Sequence, residues 1–461
     1  MRFEKEVEKY FTPMLESLQG CLRIPSVYEE SEAYPYGESV NRCLEYTLSE
    51  AEKLGFKTVN LDGQVGWAEY GEGDEMIAVL GHLDVVPADG EWHFDPYGAE
   101  IANGRLYGRG TMDDKGPVYA GIFALKAVAD SGIKLDRRVR IIFGTNEETG
   151  SKDMKYYKAH GGEIPVMGFT PDGGYPLING EKGLVTEMYR KAITQQGALR
   201  VTELWGGTAS NIVPDKAYAV IECSAELAGE LAALKGEKVR VTKTENGVRI
   251  DADGVNAHGS HPEDGENAIG RLLIFMKQLP LEGDLKDAVY FVADHIGMEP
   301  HGQGLGIDLY DEVSGHLSNN MGVMRGGEDF FEVKLNYRYP VTFSFDDCGP
   351  KVKAQFEAAG FERIDASHKE KLYVPEENEL CQKLLKVYAD CTGLPAVPES
   401  IGGGTYAKSI PNVLAFGPCF PDDEVREHKP DEYCTLDWLK KNMNIIAEAI
   451  CELAQKQGGL R

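Results

Sequence analysis

The 461-residue sequence lacks any apolar run long enough to cross a bilayer. A membrane-spanning helix needs about 20 mostly apolar residues, and the best candidate, residues 118–129, is interrupted by Lys126. The first fifteen residues alternate charged and apolar side chains, so they also lack the apolar core of a secretory signal peptide. We therefore expect a cytoplasmic protein without a membrane partner.

Cysteine pairs and basic charge are also scarce. The nine cysteines include no C-x-x-C pair and their number is odd, which disfavours a disulfide framework or a thiolate zinc site. Against 48 Lys and Arg stand 75 Asp and Glu, so the formal net charge is −27. Such a field repels phosphate backbones and anionic lipids. Nucleic acid and membrane surfaces are therefore not expected as partners, whereas cations are attracted.

The chain is long enough for two or three folding units. Up to residue 181, helical periodicities alternate with short all-apolar strands, a pattern typical of a mostly parallel sheet in an α/β domain. From 182 to 371 the strands alternate polar and apolar residues, and Asn246-Gly247 marks a hairpin. We predict a catalytic domain split into 1–181 and 372–461, with an inserted α+β lid domain at 182–371.

Acidic and histidine side chains follow the all-apolar strands of the first part. Each has a simple structural explanation by itself, since polar groups must leave a buried strand where it reaches solvent, and an Asp before a helix can be its N-cap. Together they fall at the carboxyl ends of neighbouring parallel strands, where open α/β sheets bind ligands. The set comprises His82, Asp84, Asp113, Glu147, Glu148 and Asp172.

Imidazole and carboxylate groups without thiolates form a ligand set suited to zinc or a similar divalent ion. Asp84 stands two residues from His82, a spacing that lets an outer carboxylate orient a metal-binding imidazole. The glycine-rich loop at 107–116 could cradle a phosphate, but its adjacent acids Asp113 and Asp114 disfavour an anion there. The sequence therefore predicts a metal site at this sheet edge.

Four segments, 76–87, 107–116, 145–150 and 170–174, resemble the ordered signature blocks of the co-catalytic zinc exopeptidases. That superfamily includes carnosinases, carboxypeptidase G, aminoacylases and succinyl-diaminopimelate desuccinylase. Segments 402–406 and 416–433 are most similar to the peptidase V-type dipeptidases, and the resemblance covers nearly the whole chain. It implies a dinuclear zinc dipeptidase in which a metal-bridging water attacks the peptide bond of a small peptide substrate.

The resemblance also implies a role for each residue of the set. Glu147 would be the general base that takes a proton from the water, and the Asp113–Asp114 peptide would be cis. Asp84 would complete the catalytic set. The implied metal is zinc, with manganese and cobalt as alternatives. The implied ligands are His82 with Asp172 for one ion, Glu148 with His428 for the other, and Asp113 bridging both.

The inserted region would contribute contacts with the substrate. By resemblance, His258 reaches the developing oxyanion, and Asn211 also approaches the substrate. Arg338, at the end of a predicted strand, would bind the substrate carboxylate with its planar fork. The remaining implied contacts are backbone groups of Gly403, Gly404 and Thr405.

Two other functions stay open from the sequence. An N-acyl amino acid deacylase or desuccinylase would share the metal blocks, because the amide chemistry is the same. A catalytically inactive binding homologue is disfavoured, because every candidate ligand and Glu147 are present. We expect a monomer, with a homodimer as the alternative, since a long lid can replace a partner subunit.

Overall fold

The computed structural model describes residues 1–456, which form two compact units. Unit 1 comprises Met1–Asn179, Val374–Glu399 and the chain from Gly404 onwards, and unit 2 comprises Gly180–Tyr373 and Ser400–Gly403. The predicted lid began at 182 and ended at 371. The segment Ser400–Gly403, which the sequence grouped with 372–461, lies in unit 2 because Ile401 accepts a hydrogen bond from the Lys182 backbone N–H at 3.0 Å.

The first part of unit 1 alternates helices with strands. Its helices are α1 (Glu4–Leu22), α2 (Glu38–Lys53), α3 (Lys115–Asp130) and α4 (Lys152–Ala159). Its strands are β1 (Lys57–Leu61), β2 (Val65–Tyr70), β3 (Met76–His82), β4 (Glu100–Ala102), β5 (Arg105–Tyr107), β6 (Arg138–Gly144), β7 (Met167–Thr170), β8 (Gly173–Gly174) and β9 (Ile178–Glu181), the last of which carries the chain into unit 2.

Unit 2 is dominated by long strands. Its helices are α5 (Ala225–Leu231), α6 (Ala268–Met276), α7 (Gly283–His295) and α8 (Gly349–Ala358). Its strands are β10 (Gly183–Ala192), β11 (Leu199–Gly206), β12 (Ile212–Val213), β13 (Lys216–Cys223), β14 (Val239–Thr244), β15 (Gly247–Asp253), β16 (Ala257–His258), β17 (Tyr310–Asp311), β18 (Gly315–His316), β19 (Ser318–Gly326), β20 (Phe330–Tyr339), β21 (Glu362–Lys369) and β22 (Leu372–Tyr373).

The chain then returns to unit 1, apart from Ser400–Gly403, which lies in unit 2. The elements that follow are α9 (Glu379–Thr392), β23 (Glu399–Ile401), β24 (Val413–Ala415), β25 (Pro418–Cys419), β26 (Tyr433–Thr435) and α10 (Leu436–Ala454). Within residues 1–456 no helix is both long and apolar enough to span a membrane. All nine cysteines fall in this range and are free thiols.

The main sheet of unit 1 is parallel at its centre. Its strands run in the order β1-β2-β6-β3-β7-β24-β9, and the pairings of β6 with β3, β3 with β7 and β7 with β24 are parallel. The outer pairings are antiparallel. Strand β3 is buried along its whole length, as its continuous apolar run indicates. The predicted α/β fold with a parallel-strand sheet is confirmed, and the structure adds the antiparallel edges.

The main sheet of unit 2 is antiparallel throughout. Its order is β14-β15-β13-β11-β19-β20-β10-β21, and the predicted hairpin at Asn246-Gly247 joins β14 to β15. One face of the sheet shares a buried core with the helices, to which α6 contributes Ile269, Leu272 and Leu273. Because only one sheet face packs on this core, strands such as β10 alternate buried and accessible residues. This is the α+β architecture that the sequence predicted.

Candidate metal centre

Three parallel strands of unit 1 place the predicted residues at one sheet edge. Strand β3 ends at His82, β6 ends at Gly144 just before Glu147, and β7 ends at Thr170 just before Asp172. His82 pairs with Gly144 in the β3–β6 register, so the loops that follow these strands begin side by side. The strands therefore act as a scaffold for the side chains that follow them.

The fully buried His82 imidazole is held in a defined tautomer. Its Nδ1 lies 2.9 Å from the backbone carbonyl oxygen of Asp84, which can only accept, so Nδ1 carries the hydrogen. Nε2 lies 2.9 Å from Asp113 Oδ1 and 4.0 Å from Asp172 Oδ1. In the neutral ring, Nε2 and the carboxylate are both acceptors. Their close approach therefore requires a second proton or a cation between them, which fits a metal site.

Asp113 presents its second oxygen to a different imidazole. Asp113 Oδ2 lies 2.8 Å from His428 Nε2, and this nitrogen lies 3.1 Å from Glu148 Oε1. Hydrogen bonds to Asp113 and Glu148 raise the pKa of His428 to about 10. The same negative charges would attract a metal ion.

The predicted ligands thus form two groups that share one carboxylate. We call His82–Asp113–Asp172 the first group and Asp113–Glu148–His428 the second group. Within each group the ligand atoms lie within 4.8 Å of one another. Imidazole nitrogen and carboxylate oxygen without thiolate is a donor set that zinc accepts, so both groups fit a divalent ion.

The adjacent residues Asp113 and Asp114 contact different partners. Their peptide bond is cis, as the resemblance implies. Asp113 faces the two imidazoles, whereas the buried Asp114 carboxylate accepts the backbone N–H of His82 at 3.1 Å. Asp114 precedes α3 but its side chain makes no cap hydrogen bond to that helix. The simple N-cap explanation is therefore wrong for this residue, because its carboxylate turns towards β3.

Asp84 connects the two groups in a way that its spacing did not predict. The His82 ring is held by the Asp84 backbone carbonyl, while the Asp84 carboxylate Oδ1 lies farther away, at 3.5 Å from Nδ1. The carboxylate oxygens accept instead the backbone N–H groups of Glu147 and Glu148, both at 3.1 Å. Asp84 therefore fixes the loop that carries these two glutamates as well as the imidazole.

Glu147 lies in an environment that favours proton exchange near neutral pH. Burial raises the pKa of Glu147 to about 7, with Glu148 and Asp113 adding to the rise and the charge of His82 opposing it. A general base works best when its pKa is close to the working pH. A raised pKa of this kind is typical of carboxylates that exchange protons.

A buried tyrosine joins Asp172 to the loop after β6. The Tyr406 backbone N–H donates to Asp172 Oδ2 at 3.1 Å, and its hydroxyl donates to the buried Asp153 carboxylate. Asp153 also accepts the backbone N–H of Thr145 at 2.7 Å. Sequence reasoning missed both residues. Tyr406 lies in a segment that carries the family resemblance, but no local pattern points to Asp153.

In unit 2, the structure brings His258 and Asn211 together. Strands β12 and β16 pair Ile212 with His258, and the Gly259 backbone N–H donates to the Asn211 carbonyl at 2.7 Å. His258 is exposed, and its Nδ1 lies 2.5 Å from Ser260 Oγ. Partial burial of the ring lowers the pKa of His258, and the positive charge of Arg338 lowers it further. The neutral imidazole is therefore favoured at neutral pH.

Arg338 is anchored within the same unit. It is buried near the end of β20, and Nη1 donates to the Gly402 carbonyl at 2.6 Å. Burial lowers its pKa to about 10, so the guanidinium remains charged at neutral pH. Gly403 follows in unit 2, whereas Gly404 and Thr405 lie in unit 1.

Residues 78–452 match the Peptidase family M20/M25/M40. A relative from Bacillus subtilis (strain 168), named "Putative dipeptidase YtjP", is 38% identical over 471 residues and aligns with 99% of this chain and 100% of its own length. The chain belongs to this family. The resemblance to the co-catalytic zinc exopeptidases is thus confirmed, and the protein is a hydrolase of the metallopeptidase type.

Solved structures with low identity match the fold over nearly the whole chain. The aminoacylhistidine dipeptidase from Vibrio alginolyticus is 14% identical with a TM-score of 0.62, covering 96% of this chain and 97% of its own. The metallo-carboxypeptidase Sso-CP2 from Sulfolobus solfataricus is 19% identical with a TM-score of 0.58, covering 95% and 98%. At these identities the likeness supports the shared two-domain fold.

Proposed function

We propose that the protein is a dinuclear zinc dipeptidase, with unit 1 as the catalytic domain and unit 2 as the lid. The observation that carries the proposal is the position of Asp113, whose two carboxylate oxygens each face a different imidazole, His82 and His428. Placed between the two imidazoles, Asp113 would be shared by two ions, one in each group. The dipeptidase name of the Bacillus relative supports the substrate class.

The first and second groups would each hold one ion through their three side chains. When bound, two such ions polarise a carbonyl oxygen and lower the pKa of water. His82 presents Nε2 because the Asp84 carbonyl holds Nδ1–H. Glu148 is held at its backbone N–H by the Asp84 carboxylate. These two contacts of Asp84 therefore orient the His82 ring and position the backbone of Glu148.

Glu147 would take a proton from the attacking water and deliver it to the leaving amine. Burial raises the pKa of Glu147 above that of a free glutamate, which favours acceptance of the proton. The Asp84 carboxylate accepts the Glu147 backbone N–H at 3.1 Å, which holds the loop while the side chain exchanges the proton. The reaction products would be two amino acids, since one amide bond is cleaved and one water is consumed.

We assign the substrate contacts to His258, Asn211 and Arg338, as the family resemblance implies. A neutral His258 could donate to the developing oxyanion, and a charged Arg338 could bind a free carboxylate. Backbone groups of Gly403 to Thr405 would bind the same carboxylate. The expected substrate is therefore a short peptide with a free C-terminus.

Substrate profiling tests this function directly. The purified protein with added Zn²⁺ or Mn²⁺ is incubated with Ala-X dipeptides, β-alanyl-histidine, and N-acetyl and N-succinyl amino acids. We expect dipeptide turnover to dominate. Rapid deacylation without dipeptide hydrolysis would contradict the dipeptidase assignment and favour the deacylase alternative.

The general-base role has its own test. Glu147→Gln keeps the shape of the side chain but cannot accept a proton, so we expect kcat to fall by a factor of about 100 to 10,000. Metal content per chain, measured by inductively coupled plasma mass spectrometry, should stay at the wild-type value. Normal turnover in this variant would remove Glu147 from the mechanism, and a parallel loss of metal would assign it a binding role instead.

A further inference from the structure

Arg109 and Glu432 form a buried ion pair next to the second group. Glu432 is fully buried, and its Oε2 accepts a hydrogen bond from Arg109 Nη1 at 2.6 Å. Arg109 is buried as well, with 1% of its surface exposed. Glu432 stands four residues after His428, while Arg109 stands four residues before Asp113. The pair therefore joins the two chain segments that supply these two donors.

The other oxygen of Glu432 holds the loop that carries the bridging aspartate. Glu432 Oε1 accepts the backbone N–H of Gly110 at 3.1 Å, that of Met112 at 2.9 Å and that of Asp113 at 3.4 Å. The Glu432 backbone carbonyl accepts the N–H of Gly108 at 2.9 Å. One residue thus orders consecutive turns of the loop up to Asp113 itself.

The segment that carries His428 has an unusual backbone. His428 has φ of 60° and Asp431 has φ of 54°, a left-handed conformation that is uncommon outside glycine. Such conformations persist where neighbouring contacts determine them. Here Asp431 accepts the backbone N–H of His93 at 2.8 Å and lies 2.6 Å from its Nδ1. Two consecutive carboxylates therefore anchor this segment.

We infer that Glu432 is a positioning residue for the second group. It holds the Asp113 loop against the His428 segment, so that two donors far apart in sequence meet at one ion. The inference rests on the proposed function, because it presupposes an ion at the second group. The side chain at position 432 must be a carboxylate because all the groups that it contacts are hydrogen-bond donors. A glutamine would place its amide NH₂ next to one of these donors, and that hydrogen bond would be lost.

Cobalt titration of the metal-free protein tests this role. Co²⁺ binding is followed by calorimetry and by the visible absorption of the bound ion, with Glu432→Gln compared to wild type. We expect two equivalents in wild type, with the first group filled before the second, because His82 is buried and held at Nδ1 whereas His428 is exposed. In the variant we expect binding at the second group to weaken by about 10- to 100-fold, as is typical of outer residues around metal ligands. Binding at the first group should weaken less, because it shares Asp113 but keeps His82 and Asp172. Excess Co²⁺ should restore the absorption of the second ion.

Glu448→Gln is the matched control. Glu448 also pairs with an arginine in unit 1, at 2.6 Å from Arg2 Nε, but this arginine belongs to neither group.

Asp431→Ala provides a milder second variant, since Asp431 lies nearer the surface. It removes one anchor of the His428 segment, and we expect a smaller loss of affinity at the second group than in Glu432→Gln. Thermal unfolding of all variants separates general destabilisation from loss of the second ion.

Three results would overturn the inference. Wild-type affinity for both equivalents in Glu432→Gln would do so, provided that wild type binds two. If Glu432→Gln and Glu448→Gln lost affinity for both Co²⁺ ions to the same extent, the cause would be general destabilisation of the fold. A wild-type protein that binds fewer than two Co²⁺ ions would instead overturn the proposed function, and the positioning role with it.

Discussion

The two ligand groups are built in opposite ways. In the first group, the His82 side chain is 0% exposed, ends a central strand and is fixed at Nδ1 by a backbone carbonyl. In the second, the His428 side chain is 52% exposed and meets Asp113 across 315 positions of sequence. The first group is therefore part of the sheet scaffold, whereas the second depends on an irregular segment that other residues must anchor. We expect the first to bind its ion more tightly.

The largest expected effect comes from removing one imidazole from each group. His82→Ala removes a buried imidazole that we propose as a ligand, so we expect activity to fall by more than the roughly 100-fold reached by outer residues. We also expect both ions to be lost after dialysis, because the second group should hold its ion less tightly. His428→Ala should also lose activity but retain one ion. Metal content per chain distinguishes the two variants. Equal metal loss in both would contradict the difference between the groups.

A smaller effect is expected at the residue that contacts both groups. Asp84→Asn leaves its backbone carbonyl on His82 but places an amide N–H near the N–H groups of Glu147 and Glu148, so only the second group should suffer. We expect kcat to fall by about 10- to 100-fold, with the first equivalent of metal bound as in wild type. Weaker binding of the first equivalent would show that the carboxylate supports His82 after all.

The smallest effect concerns the outer anchor of the His428 segment. The hydrogen bond and charge of Asp431 raise the pKa of the exposed His93. Because the folded pKa lies above the unfolded value of about 6.5, the stabilisation is present below pH 6.5 and is lost as pH rises through the folded value. We expect His93→Ala to lower the melting temperature slightly at pH 6 and by less at pH 9. An equal decrease at both would exclude the ion pair as the cause.

The sequence predicted the first group better than the second for a physical reason. Continuous apolar strands reveal where a buried sheet ends, and His82 and Asp172 follow directly from those ends. His428 lies in an irregular segment without periodicity, so only the family resemblance selected it. Glu432 was missed because its contacts with Arg109 and the Asp113 loop span more than 300 positions and follow no local pattern.

The fold shows the same limit. Helices and central strands follow from periodicity, and the hairpin at Asn246-Gly247 follows from its turn residues. The placement of Ser400–Gly403 in unit 2 could not be predicted, because it depends on hydrogen bonds to Lys182 and Arg338 far away in sequence. The contacts of Asp84, in which the backbone carbonyl holds His82 and the carboxylate holds Glu147 and Glu148, likewise depend on loop geometry.

Zinc reconstitution of the metal-free protein tests the dinuclear centre most directly. Zinc is added in steps while bound metal and hydrolysis of an Ala-X dipeptide are measured on the same sample. We predict two ions per chain, with the first bound more tightly and full activity reached only at the second equivalent. Saturation at a single ion with full dipeptide turnover would contradict a centre in which Asp113 serves two ions.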